Sequence, residues 1–300
     1  MGIIFGFIRF IFSTGLILAG TLAIVTLIAA MYASSNPTYS SPGGVRVNTA
    51  NFQAYANQPV GNIPPGWRRE EIADYLNATG KVDGNRFLNL TEYGTVVNHP
   101  LLADRPAGAS YEGYLLPGNY DLSTINTPEA LIAQMLTNLA AQLPPNAVDL
   151  ARQQGLTFYE ALIVASIVER ETLLVSEQPL VASVYLNRLN PAYGEPYLNA
   201  DPTVQYAMGY QPNSGQWWKS PVTLEEYRQV NSPYNTYLHP GLPPGPIANP
   251  GISSIMAVLQ PANTDYLFFV CRYPNCKGGE HTFATTYQEH LQNVSNYYGQ

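Results

Sequence analysis

The residue best placed to do chemistry is Glu169, in the run Ala165-Ser166-Ile167-Val168-Glu169-Arg170-Glu171-Thr172. From Thr157 to Val168 the only charged residue is Glu160, so Glu169 falls at the C-terminal end of an almost wholly apolar helix. Two effects oppose its ionisation there: desolvation disfavours the charged form, and a helix C-terminus disfavours negative charge. A carboxylic acid that keeps its proton near neutral pH is what a general acid requires. On a helical wheel Glu169 stacks with Leu162, Ala165 and Ser166, with Arg170 about 100° and Glu171 about 200° away. Glu171 is the fallback for the same role. The competing reading is a helix-end ion pair with a nearby Arg. The apolar surroundings weigh against it, because a helix buried all round has little reason to end in two acids.

The elements that must hold this helix are readable from caps and periodicity. Thr157 and Glu160 form a capping box at its start. Ile72, Tyr75 and Leu76 give an inward stripe after Ile63-Pro64-Pro65-Gly66, and a second short helix is expected over 85–93. Thr127 followed by Pro128 opens a helix reaching about Gln142. Further helices are expected over 146–154, 177–189 and 252–260, a turn of helix after Thr223, and a closing helix over 285–298. Residues 266–270 and 281–283 pair as a hairpin. Ser232 to Gly251 is dense in Pro and Gly and carries aromatic and apolar residues, which favours an ordered loop walling a cleft. Helices and hairpins without strict βα alternation make the fold class α+β.

The chain has 300 residues, 12% charged and 46% hydrophobic, with a formal net charge of −7. That balance argues against nucleic acid as a partner. A surface rich in Tyr, Asn and Gln but poor in charge suits carbohydrate, since aromatic faces stack on sugar rings and amides bond hydroxyls. Residues 10–32 are apolar and long enough to span a bilayer, which takes roughly 20 residues. Arg9 precedes them, and no Lys or Arg follows until Arg46. This predicts a single-pass anchor with a cytoplasmic N-terminus and an exported body, with a cleaved signal peptide as the alternative. The expected organisation is an anchor over 1–33, a tether over 34–59, a small membrane-proximal unit over 60–110 and a larger catalytic domain over 111–300.

Cys271 and Cys276 are the only cysteines. In an exported domain they would close a short disulfide across a turn. Free thiols and a metal site with His281 and His290 are the alternatives, although the spacing matches no standard zinc pattern. Glu112 reads as a turn acid or a site carboxylate, and Asp201 as a helix cap before Pro202. Asn187 reads as part of a polar helix face, and His281 as a strand-end residue. No Ser nucleophile elbow, P-loop, dinucleotide fingerprint or His-Glu-x-x-His occurs. Asn77, Asn89 and Asn293 head short glycosylation-type triplets, which match often by chance.

Taken in order, Ile63-Pro64-Pro65-Gly66, Glu112-Gly113 with Pro117 and Tyr120, the run 165–172, and 181–189 with Asn187 and Arg188 resemble segments of the endolytic murein transglycosylases, the YceG-like proteins of bacteria. So do Asp201-Pro202-Thr203-Val204, 232–237, 241–245 and His281-Thr282-Phe283. The resemblance departs at Arg170, where Lys is usual, at Gly118-Asn119, and at the cysteine-bearing turn, which looks like an insertion. It implies a bitopic inner-membrane enzyme with a LysM-like membrane-proximal unit. The enzyme would cut peptidoglycan strands internally between N-acetylmuramic acid and N-acetylglucosamine, without cofactor or metal, and leave a 1,6-anhydro end. The catalytic Glu maps onto Glu169. Asn187, Asp201, Tyr234, Asn235 and Thr236, with Glu112, are carried over as substrate-binding positions. Peptidoglycan synthases are the protein partners it suggests. A membrane-tethered, non-catalytic glycan binder, a scaffold recruiting wall synthases and a hydrolase using water are the rival readings.

Overall fold

The structure is a computed structural model that describes residues 60–93, 99–194, 196–273, 276 and 278–298. The expected anchor and tether lie outside the described residues. Among these residues no helix is long and apolar enough to cross a membrane.

The first strand, β1 (Val60–Ile63), runs into the Pro64–Gly66 turn and then α1 (Arg69–Thr79). Ile72, Tyr75 and Leu76 are buried along α1, and Gly80 ends it in the left-handed conformation. Helix α2 (Gly84–Tyr93) packs against α1. The partner of β1 is β2 (Gly118–Asp121), antiparallel, with Gly61 opposite Tyr120 and Ile63 opposite Gly118. This ladder crosses the position expected to separate two units at 110/111. One apolar core also runs from Ile63 to Leu259. The β-α-α-β segment and the helices after it therefore share an interior.

Helix α3 (Pro128–Gln142) starts on the expected cap, with the Thr127 hydroxyl accepting from Ala130 N. After α4 (Ala147–Gln153) comes α5 (Phe158–Glu171), the helix carrying Glu169. Its capping box is formed: Glu160 N donates to Thr157 Oγ1 at 3.2 Å, and Thr157 N to Glu160 Oε2 at 2.8 Å. All of α5 is buried except Glu160 and Glu169, as expected for a helix apolar on every side. Around it pack α4, α6 (Gln178–Leu189), α7 (Asp201–Met208) and α9 (Ile252–Leu259). Between α7 and α9 lies a short α8 (Leu224–Gln229), capped by Thr223 and Glu226. The chain closes with the hairpin β3 (Phe268–Cys271) and β4 (His281–Ala284), covered by α10 (Tyr287–Tyr298).

The Pro-rich stretch before α9 has no regular secondary structure, so its buried backbone groups need side-chain partners. Ser166 Oγ on α5 accepts from Ile247 N at 3.0 Å, and Tyr159 Oη donates to the Pro244 carbonyl at 3.3 Å. Asn249, fully buried, does most of the joining. Its Oδ1 accepts from Gly113 N at 2.9 Å and Leu115 N at 3.1 Å, and its Nδ2 donates to Trp67 O at 3.0 Å and Glu112 Oε1 at 2.6 Å. Its backbone bonds the Pro64–Trp67 turn twice, from Gly66 N to Asn249 O and from Asn249 N to Trp67 O, both at 2.9 Å. Gly113 has φ +87°, and a Cβ there would lie 2.6 Å from Pro246 Cγ, so only Gly lets the two segments meet.

Asn249→Ala strands two buried N–H groups and removes a side-chain tie among three loops. We expect it to lower unfolding free energy by about 3 kcal/mol or more, read by urea denaturation. A loss below about 1 kcal/mol would show that the tie is dispensable.

Candidate active site

Glu169 sits in the last turn of α5, half-buried where its neighbours are sealed. Its Oε2 accepts from Gly251 N at 3.0 Å and from Ser254 Oγ at 2.7 Å. Gly251 is the N-cap of α9 and Ser254 lies in its first turn, so the carboxyl faces a helix N-terminus. The Pro64–Gly66 turn lines another side. A Cβ on Gly66, whose φ is +82°, would lie 3.6 Å from Glu169 Cγ, and Pro65 Cγ lies 3.4 Å from the Cβ position of Gly251. Among the described residues Oε1 takes no hydrogen bond, and Glu169 forms no ion pair.

Burial pushes the Glu169 carboxyl above the ordinary carboxylate range. The Ser254 hydroxyl, the Gly251 N–H and the Arg170 charge pull the other way without cancelling it. The sequence-based expectation counted only the C-terminus of α5. The α9 N-terminus opposes it, because the positive end of a helix favours an anion. The site thus holds the proton and also solvates the carboxylate left after the proton is given away.

Arg170 is buried, and the Glu71 and Glu169 carboxylates are the first charges that favour its cation. Its guanidinium carbon lies 3.9 Å from the centre of the Trp218 ring, and Nη1 lies 3.5 Å from Gly66 O. Burial lowers its pKa to about 10. Trp218 is fixed in turn by donating Nε1–H to Glu71 Oε2 at 2.8 Å. Glu171 faces elsewhere: Tyr185 Oη donates to it at 2.7 Å. Burial and the nearby Asp201 carboxylate raise the Glu171 pKa to about 8.

The other expected site residues fall into different environments. Glu112 is buried, with both oxygens 3.2 Å from Arg69 N and Oε1 bonded to Asn249. Asn187 gives its amide to the Thr264 and Tyr266 carbonyls at 2.8 and 2.9 Å. It also borders an open cavity of about 510 Å³ walled in part by Gln153, Gln154, Gln260 and Asn263, of which Glu169 is not a wall. Asp201 is the first residue of α7, not its cap; Ala200 is the cap. Its oxygens accept from Tyr237 Oη at 2.6 Å and Tyr227 Oη at 2.9 Å. Asn235 is buried and donates to the Tyr227 and Val230 carbonyls, both at 3.0 Å. Thr236 Oγ1 accepts from Ala200 N at 3.0 Å and lies 2.9 Å from Thr203 Oγ1. Tyr234 is half-buried, its ring 4.8 Å from that of Tyr206. Asp201, Asn235 and Thr236 thus form one bonded group bracing the 232–237 loop on α7. Gly251 and Ser254, which touch the carboxyl itself, were not singled out from the sequence. Their signal was the Gly-Ile-Ser-Ser start of a helix directly after a Pro-rich loop.

Residues 46–296 match the profile of the YceG-like family. The chain is 32% identical over 202 residues to a Bacillus subtilis protein named endolytic murein transglycosylase, a match covering 67% of this chain and 49% of that protein. It is 28% identical over 242 residues to a protein of the same name from Streptococcus pneumoniae serotype 2, covering 80% of this chain and 42% of that one. The matched part of the chain thus spans about half the length or less of these relatives. A crystal structure of a YceG-like protein from Listeria monocytogenes superposes with a TM-score of 0.63 at 31% identity, covering 78% of this chain and 76% of that one. With this fold and with a matched segment running through almost all of the described residues, the chain belongs to the YceG-like family.

Proposed function

We propose that the protein is an endolytic peptidoglycan lytic transglycosylase with Glu169 as its single acid and base. The observation that carries this reading is a half-buried carboxyl held by one oxygen on Gly251 N–H and the Ser254 hydroxyl, raised in pKa by burial and free of an ion pair among the described residues. Its relatives' names, given to proteins that this chain matches over part of their length, support the same reaction class.

In the proposed reaction the protonated Glu169 gives its proton to the glycosidic oxygen as the bond from that oxygen to C1 of N-acetylmuramic acid breaks. The carboxylate, now favoured by the α9 N-terminus, takes the proton of the 6-hydroxyl of the same sugar. That oxygen closes on C1, giving a 1,6-anhydro end. Acid and base are one residue, the nucleophile is already in place, and no water is consumed. A two-carboxylate hydrolase needs a second acid across the bond. Glu171 is spent on Tyr185 and Glu112 on Arg69 and Asn249.

The remainder of the proposal is organisational. Residues 1–33 anchor the chain in the bacterial inner membrane with the body outside the cytoplasm, 34–59 tether it, and the segment beginning at 60 supplies a LysM-like glycan-binding surface. From there it would cut strands as peptidoglycan synthases extend them. Tyr234, half-buried in the Pro-rich loop, is kept as a proposed substrate contact.

Three outcomes are expected. Glu169→Gln keeps the fold and lowers release of anhydro-muropeptides, read by mass spectrometry, by about 10²–10⁴-fold; undiminished product would remove Glu169 from the reaction. Ser254→Ala removes a bond to the charged form, so the Glu169 pKa rises further and the alkaline limb of the kcat/KM profile moves to higher pH. A limb that stays put or moves down contradicts the assignment.

Glu171→Gln keeps activity. The fold raises the Glu171 pKa to about 8 from an ordinary 4.5, so its stabilising contribution is full below about pH 4.5 and is lost as pH rises through about 8. The Gln variant escapes that loss. In thermal melts it should gain on the wild type progressively over this window, and an inactive Glu171→Gln beside an active Glu169→Gln would exchange the two roles.

A further inference from the structure

The hairpin at the C-terminal end gathers three soft ligand atoms that the glycan chemistry does not use. Cys271 and His281 are directly paired across β3 and β4, so their side chains share one face. Cys276 returns from the turn with φ +51° and joins them. The cysteines are bonded to each other. Cys271, Cys276 and His281 are 2%, 5% and 4% exposed, and their ligand atoms all lie within 4.8 Å of one another.

The His281 ring is oriented for coordination. Its Nδ1 lies 2.7 Å from Glu177 Oε2, and its backbone N donates to Glu177 Oε1 at 3.0 Å. A carboxylate only accepts, so Nδ1 carries a proton, and in the neutral ring that ligates a metal Nε2 is the atom with the lone pair, facing the two sulfurs. Nε2 lies 3.4 Å from the Cys271 Sγ and 3.6 Å from the Cys276 Sγ. A tetrahedral zinc ion with bonds of about 2.3 Å to sulfur and about 2.05 Å to nitrogen separates such a pair by about 3.6 Å. Both sulfur–nitrogen edges are therefore already at coordination spacing. A carboxylate on the far nitrogen of a ligating His is the usual outer support of a zinc site.

We propose that this cluster is a redox-gated zinc site: a disulfide when oxidised, and a Cys2His zinc centre when reduced. The fourth position would be filled by water, since no further ligand converges among the described residues. Reduction breaks the Sγ–Sγ bond. A dithiol donor supplies two electrons and two protons and closes to its own disulfide. Zinc then displaces the two thiol protons to solvent, and the sulfur–sulfur edge opens to about 3.8 Å. In either state the cluster fastens the hairpin to the segment leaving α5. Glu177 lies on that segment, and a Cβ at Gly279 would sit 3.4 Å from Leu174 Cγ.

The test uses the full chain with and without a trialkylphosphine, which ends as its oxide and does not compete for metal. Zn²⁺ is counted by a chromophoric chelator, and Co²⁺ serves as the spectroscopic probe. Reduced protein should take one zinc per chain and give thiolate-to-cobalt charge-transfer bands with strong tetrahedral visible bands; oxidised protein should give neither. Glu177→Gln, which keeps all three ligands, should bind zinc about 10–100-fold more weakly. If reduced protein loses its near-ultraviolet circular dichroism, zinc should restore it. The proposal is overturned if reduced wild type binds no more metal than the Cys271→Ser/Cys276→Ser double variant. It is also overturned if His281→Gln binds as tightly as wild type, or if zinc fails to restore a reduced, unfolded sample.

Discussion

The side chain of Asn249 is the interaction on which the site depends. It is buried without charge and uses both ends of its amide, on Gly113, Leu115, Trp67 and Glu112. Those partners belong to segments with no regular secondary structure to hold them at that point, and a buried loop without such partners would carry the full cost of unmet backbone groups. Two residues on, Gly251 offers its N–H to Glu169. Through its own carbonyl Asn249 also holds Gly66, which lies beside the stem of the Glu169 side chain. Two of the walls around Glu169 are thus placed by one residue that never touches it.

That arrangement resolves a conflict built into any single-residue acid–base mechanism. A carboxyl buried deeply enough to hold a proton becomes a poor proton donor if its anion is left unsolvated. Burial on α5 supplies the first property, and the start of α9 with Ser254 supplies the second. The two helices are packed on each other, so the donors stay in position whichever protonation state is present and need no reorganisation during the reaction.

Local signals carried well from sequence to structure, and long-range ones did not. The Thr157–Glu160 box, the apolar run behind it and the exceptional position of Glu169 depend on residues within one helix, and each is visible in the order of residue types. The role of Asn249 depends on partners 136 and 182 positions away, and nothing near it in the chain distinguishes a knot from a turn residue. The same limit explains Asp201, Asn235 and Thr236. An amide or hydroxyl in a loop reads alike whether it faces a sugar or a neighbouring backbone, and here the loop consumes them. The break expected at 110/111 followed a change in texture, while the ladder from β1 to β2 bridges it.

Arg170 shows how the site keeps its acid from being neutralised. A guanidinium on the residue next to a carboxylate would ordinarily pair with it, and such a pair would pull the proton off near neutral pH. Burial makes Arg170 costly to leave bare, so the fold must give it something else. It gives the face of Trp218 and the nearby carboxylate of Glu71 on α1, which also pins the Trp218 indole and is the first among the charges that favour the Arg170 cation. The charge stays close enough to temper the Glu169 pKa, which it lowers less than the Ser254 and Gly251 bonds do. The ring and the Glu71 carboxylate together seat the cation away from a direct pair with the catalytic carboxyl, so that its influence on Glu169 stays the smallest of the three that favour the anion.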